Sequence, residues 1–141
     1  MSTECTLVAP YFVVVWRTRE LSDLKRVRGE LERAVRNLGT AVHYVGVMTR
    51  ATAAASEEFR ASLGDFSDAR SKLCTAVHLV YEGDDADSIV ERATVQTILR
   101  AHHLRPVVVR SIGELVRSMP RAERGELRQA LAVAGVLGPS D

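Results

Sequence analysis

The sequence predicts an α/β fold: a mostly parallel four-stranded sheet with flanking helices. Three observations predict it. Short runs rich in β-branched and aromatic residues recur at Tyr11–Trp16, 40–48, 75–81 and 106–110. Between them lie stretches whose apolar residues repeat every three or four positions, as on one face of a helix. Strand and helix therefore alternate, which implies parallel strands joined by right-handed crossovers. At 141 residues the chain is expected to form one domain, with its core over about residues 7–119 and a C-terminal helix and tail over 120–141.

Residues 1–6 are polar and are expected to be loose. Tyr11–Trp16 is the first strand, and Pro10, which has no amide to donate, suits its start. Leu21, Leu24, Val27, Leu31, Ala34, Val35 and Leu38 mark a helix that Gly39 ends. Residues 40–48 are apolar at nearly every position, as in a strand covered on both faces. The alanines and glutamates that follow favour a helix from near Thr52, carrying Phe59 and Leu63 and broken at Gly64-Asp65. Phe66, Ala69 and Leu73 lean towards a second short helix.

Strand 75–81 repeats the Thr-Ala-Val-His of residues 40–43. Beyond the turn at 82–85, a helix over about 86–101 is expected to bury Ile89, Val90, Ala93, Ile98 and Leu99, with acids near its start and Arg100, His102 and His103 near its end. After the strand at 106–110, Ser111 and Glu114 form a capping-box pattern. The helix it opens stops before Pro120, and a last helix over about 121–133 carries Ala130, Leu131 and Ala134 on its apolar face.

Composition narrows the function classes. Hydrophobic residues are 46% and charged residues 26%, as in a soluble globular protein. A net charge of +1 gives no electrostatic reason to expect nucleic acid or an anionic membrane. The longest apolar run, residues 7–16, is about half a bilayer span. Glu4 and the lack of a basic start argue against a secretory signal, and Cys5 and Cys74 have no metal or disulfide spacing. The expected location is the cytoplasm, with the thiols free. No Gly-rich phosphate loop, nucleophile elbow or acidic cluster at a strand end is present, so no enzyme chemistry and no cofactor is expected.

Two sets of residues remain as candidates. If the repeated segments pair in register, His43 and His78 share a face about 5 Å apart, close enough for a ligand or a pH-sensitive pair. The plainer alternative is two hydrogen-bonded histidines under a helix, because a metal site needs a third ligand that the sequence does not place. His102 and His103, adjacent on a helix, point about 100° apart and suit the helix dipole better than chelation. The hydroxyls of Thr49, Thr52 and Ser56 follow a central strand, where open α/β sheets gather ligands. They are candidates for partner binding or phosphorylation. Turn and cap roles are the commoner use of such residues.

In its helix at 21–38, its strand–loop–helix at 40–63, its strand–helix–strand at 75–110 and the closing Ser111-Ile112-Gly113-Glu114-Leu115, the chain resembles the STAS domain of anti-sigma-factor antagonists. That resemblance implies a non-enzymatic switch, binding an anti-sigma factor or kinase-like regulator through the surface at 49–58. The family's phosphoacceptor loop, Asp-Ser-Ser-Gly, corresponds here to Met48-Thr49-Arg50-Ala51-Thr52-Ala53-Ala54, which lacks all four residues. Thr49 and Thr52 are the nearest hydroxyls. Two other classes stand beside it: a small-molecule- or metal-binding protein centred on His43 and His78, and a homo-dimer or larger self-assembly through strand Tyr11–Trp16 or the last helix.

Overall fold

The computed structural model describes residues 2–102 and 106–137. The chain runs β1 (Glu4–Val8), β2 (Tyr11–Trp16), α1 (Leu21–Leu38), β3 (Val42–Met48), α2 (Glu57–Leu73), β4 (Cys74–Tyr81), α3 (Ala86–His102), β5 (Val107–Val109), α4 (Ile112–Ser118) and α5 (Arg121–Val133). The α/β class is as expected, but the sheet has five strands, in the order β1-β2-β3-β4-β5. Strands β2 to β5 are parallel, and β1 is antiparallel to β2.

Strand β1 corrects the expectation of a loose start. Thr3 is buried and pins the end of the chain: its hydroxyl donates to Thr18 O at 2.8 Å and accepts from the Arg17 and Thr18 amides. The strand that follows covers the edge of β2. Tyr11–Trp16 is therefore buried along its whole length and is not an open seam.

The strand order never reverses. When parallel strands step in one direction and every crossover has the usual hand, the crossover helices fall on one face. The core shows this. Phe12, Val14, Trp16, Tyr44 and Leu79 face α1, α2 and α3, through residues such as Leu31, Phe66 and Leu99. The opposite face, with Tyr11, Val13, Val15, Val45 and Val47, is closed by α4 and α5. Leu127, Ala130 and Leu131 are fully buried there, so the apolar side of the last helix packs on its own sheet.

Local chemistry sets the ends of the helices. Gly39 ends α1 in the left-handed conformation, φ 72°, and its amide donates to Val35 O at 2.9 Å. Ser111 caps α4 by accepting from the Glu114 amide, while the Glu114 carboxylate accepts from the Arg110 amide. Helix α2 begins at Glu57, later than its alanines suggested. The Ala53 and Ser56 amides donate to Arg17 O and Arg19 O, and these tertiary bonds hold 53–56 out of the helix. Ser56 then caps α2, accepting from the Phe59 amide at 3.1 Å. Gly64-Asp65 does not break it. The helix continues to Leu73, because Phe59, Leu63, Phe66 and Arg70 recur at helical spacing and all turn inward.

Helix α3 departs most from expectation. Ile89 and Val90 are 50% and 65% exposed, Ala93 is exposed and Ile98 half-buried. Leu99 is its one fully buried residue among those described. The helix stands away from the sheet it crosses, and that separation creates the site.

Candidate functional site: a cavity beneath the third crossover helix

A cavity of about 600 Å³ lies between α3, α2 and the sheet. Trp16, Met48 and Tyr81, the last residues of β2, β3 and β4, line it, so it opens at the carboxyl ends of the parallel strands. Its walls are largely apolar: Phe59, Leu63 and Phe66 from α2, Leu79 from β4, and Val95 and Leu99 from α3. Gly46 helps keep the floor low. A β-carbon there would meet Leu79 Cδ2 at 2.7 Å and Tyr44 Cε1 at 3.1 Å.

Three arginines line this space; Arg60 is exposed, whereas Arg19 and Arg70 are buried and enter it in different ways. Arg19, 6% exposed, follows β2 and bridges the sheet to α3. Its Nε donates to Ala53 O at 2.9 Å, and its Nη1 donates to Tyr81 Oη at 2.8 Å and pairs with the Glu91 carboxylate. Arg92 adds a second tie from α3, donating to Tyr81 O and Gly83 O. Arg19 is thus a satisfied charge, and burial pushes the Tyr81 phenol well above its ordinary pKa.

Arg70 is 3% exposed and has no such partner. Its Nη2 donates to Ser67 Oγ at 3.2 Å, and its Nε has no protein partner. The guanidinium carbon lies 4.9 Å from the centre of the Tyr44 ring and 5.1 Å from that of Phe66. No carboxylate among the described residues forms an ion pair with it. Burial pulls its pKa down, yet a guanidinium keeps its proton in proteins. A charge left unpaired in a protein interior costs on the order of 3–5 kcal/mol. Contact with an aromatic face returns roughly 0.5–2 kcal/mol. Such a cost suits a ligand contact better than a packing role.

The residues singled out in the sequence lie elsewhere. His43 and His78 do share a face of the sheet, but it is the α4/α5 face, away from the cavity. They are offset, with His43 beside Ala76 and His78 beside Val45, so the repeated segments do not lie opposite one another. His43 packs edge-on against Tyr11, with ring centres 5.3 Å apart. His78 is 6% exposed, and its pKa is lowered to about 4 by burial first and by His43 second. The histidines were expected to be hydrogen-bonded, yet neither nitrogen of His78, nor Nδ1 of His43, has a protein partner. Neither histidine lines the cavity or the smaller cleft beside it. No group of three or more His, Cys, Asp or Glu among the described residues is placed to hold a metal. His102 ends α3, and His103 lies outside the described residues.

The three hydroxyls after β3 do structural work. Thr49 Oγ1 accepts from the Ala51 amide, and Thr52 Oγ1 accepts from the Thr49 amide and donates to Trp16 O. Ser56 caps α2. Thr49 and Thr52, with Arg50, Asp84 and Ser88, line the smaller cleft of about 340 Å³. Burial raises the pKa of both free thiols, that of Cys74 to about 12, so neither is a ready nucleophile.

Sequence reasoning passed over both arginines. The signal for Arg70 was there: Phe59, Leu63, Phe66 and Arg70 form one helical stripe, and a charge on an apolar stripe is the exception to explain. A break at Gly64-Asp65 hid that register. No protein-family model, curated protein or solved structure matches the chain. No helix among the described residues is long and apolar enough to cross a membrane.

Proposed function

We propose that the chain is a non-enzymatic binding module that holds a small, mainly apolar molecule in the cavity beneath α3. The observation that carries this is the cavity itself: about 600 Å³, apolar, and open at the carboxyl ends of three parallel strands. The lone tryptophan of the chain, Trp16, lines it and provides a direct optical signal. The test is to titrate the protein with 1-octanol and with octanoate while following Trp16 fluorescence. A saturable response to either ligand, lost in Val95→Phe, is expected. Absence of any saturable response, or a response that survives Val95→Phe, would rule out the cavity as a ligand site.

A second role is favoured by a separate observation. The alternating elements on which the resemblance to anti-sigma-factor antagonists rests are all present, and Arg50, Ala51, Glu57 and Glu58 are exposed on the segment at 49–58. We propose this surface as the contact for a protein partner, an anti-sigma factor or kinase-like regulator. Thr52→Glu is a poor probe of it, because Thr52 holds the loop to Trp16 O. Ala51→Glu changes the exposed surface alone. Capture of such a regulator by the wild type and not by Ala51→Glu supports this role, whereas equal capture by both places the contact elsewhere.

A further inference from the structure

We infer that the cavity selects a monoanionic amphipath, an apolar body ending in one carboxylate, and that Arg70 pairs with that carboxylate; this rests on the cavity being a ligand site.

Three features converge on that chemistry. Arg70 lines the cavity with its Nε–H unpartnered, and it lies at the sheet side of the site between Tyr44 and Phe66. A guanidinium offers parallel N–H donors that match the two oxygens of a carboxylate. Beside it Ser67, also buried and also lining the cavity, accepts from Arg70 through its oxygen, which leaves its own proton free to donate.

The apolar walls set the rest of the ligand. Phe59, Leu63, Leu79, Val95 and Leu99 offer nothing to a sugar or a nucleotide and suit an alkyl or aromatic body.

The charge of the site limits the ligand to one negative charge. Arg19, the other buried cation, is already paired with Glu91. Glu91 and Asp87 both line the cavity, and its remaining cation, Arg60, is exposed, so a second negative charge held in the interior would meet carboxylates and find no buried cation left to pair with. A dianionic phosphate ester is therefore the wrong head group, and a neutral alcohol leaves Arg70 unpaired.

The experiment compares octanoate, 1-octanol and octyl phosphate at pH 7.5 by Trp16 fluorescence and calorimetry, on the wild type and on Arg70→Met. Octanoate is expected to bind the wild type at least about tenfold more tightly than either of the others, as a charge-assisted hydrogen bond in an apolar site implies. Arg70→Met is expected to lose that preference while still binding 1-octanol. If 1-octanol or octyl phosphate binds the wild type as tightly as octanoate, the inference is overturned while the cavity stands. Retention of the preference in Arg70→Met overturns the role of Arg70. No binding of any of the three removes the cavity and the inference together. The wild-type comparison decides the head group even if the variant does not fold.

Discussion

Arg70 and His78 are both buried cationic types, and each meets burial in its own way. Arginine cannot discard its proton, so Arg70 must be met by aromatic faces, Ser67 and, on our proposal, a ligand. Histidine can, and the pKa of His78, at about 4, leaves it neutral at neutral pH. That has a consequence for stability. In the unfolded chain a histidine titrates near 6.5, so between about pH 6.5 and 4 the unfolded state binds the proton and the folded state does not. The contribution is complete above pH 6.5 and is lost as pH falls towards 4. At about 1.4 kcal/mol per pH unit the loss reaches at most about 3.5 kcal/mol. His78→Leu should flatten this part of the profile. Urea unfolding at pH 7.5, 5.5 and 4.5 checks it, and parallel profiles for wild type and variant would show that His78 is not the group responsible.

At the scale of elements, α3 is the mobile candidate. It is anchored by Leu99 near one end and by Arg19–Glu91 and Arg92–Tyr81 O near the other, with Ile89 and Val90 exposed. Few buried contacts mean a low local opening energy. Glu91→Ala is expected to cost about 1–3 kcal/mol, since Arg19 keeps Ala53 O and Tyr81 Oη but loses its counter-charge. Hydrogen exchange should quicken at least about tenfold in α3 and stay unchanged in α1. Equal acceleration in both helices would mean that α3 is not held separately. The same contrast shows what was legible in the sequence. Helix α1 is readable end to end, because its stripe, its Gly39 stop and its packing agree. Helices α2 and α3 were misread where tertiary contacts decide: backbone bonds to Arg17 and Arg19 delay the start of α2, and the cavity leaves part of the apolar side of α3 without a sheet to cover. The shared face of His43 and His78 was foreseeable from strand alternation, whereas the offset is set by how β3 and β4 pair across the sheet, a register that the repeated Thr-Ala-Val-His segments do not fix. The cavity is a gap between elements, and sequence periodicity describes only the elements themselves.

At the scale of the whole molecule, the one-way strand order has a structural cost that α4 and α5 meet. With all three crossovers on one face, the other face of the sheet would lie bare, and Tyr11, Val13, Val15, Val45 and Val47, each at most 2% exposed, belong to it. The helix after Pro120 is therefore part of the core rather than an appendage. Burying a leucine side chain is worth about 1.5–3 kcal/mol, and Leu127 and Leu131 are only two of the residues that would be uncovered or lost. The total stability of a domain this size is about 5–15 kcal/mol. Removing residues 120–141 should abolish cooperative unfolding and give a chain that aggregates through the bared sheet. The full chain should instead scatter light as a monomer, because β1 covers the edge of β2 and α5 is folded back on the sheet, so both seams suggested for self-association are occupied. Light scattering and thermal unfolding of the two chains side by side test this. A truncated chain that stays monomeric and melts with the full one would show that α5 contributes nothing to closing the core, and a dimeric full chain would place self-association on a surface other than these two.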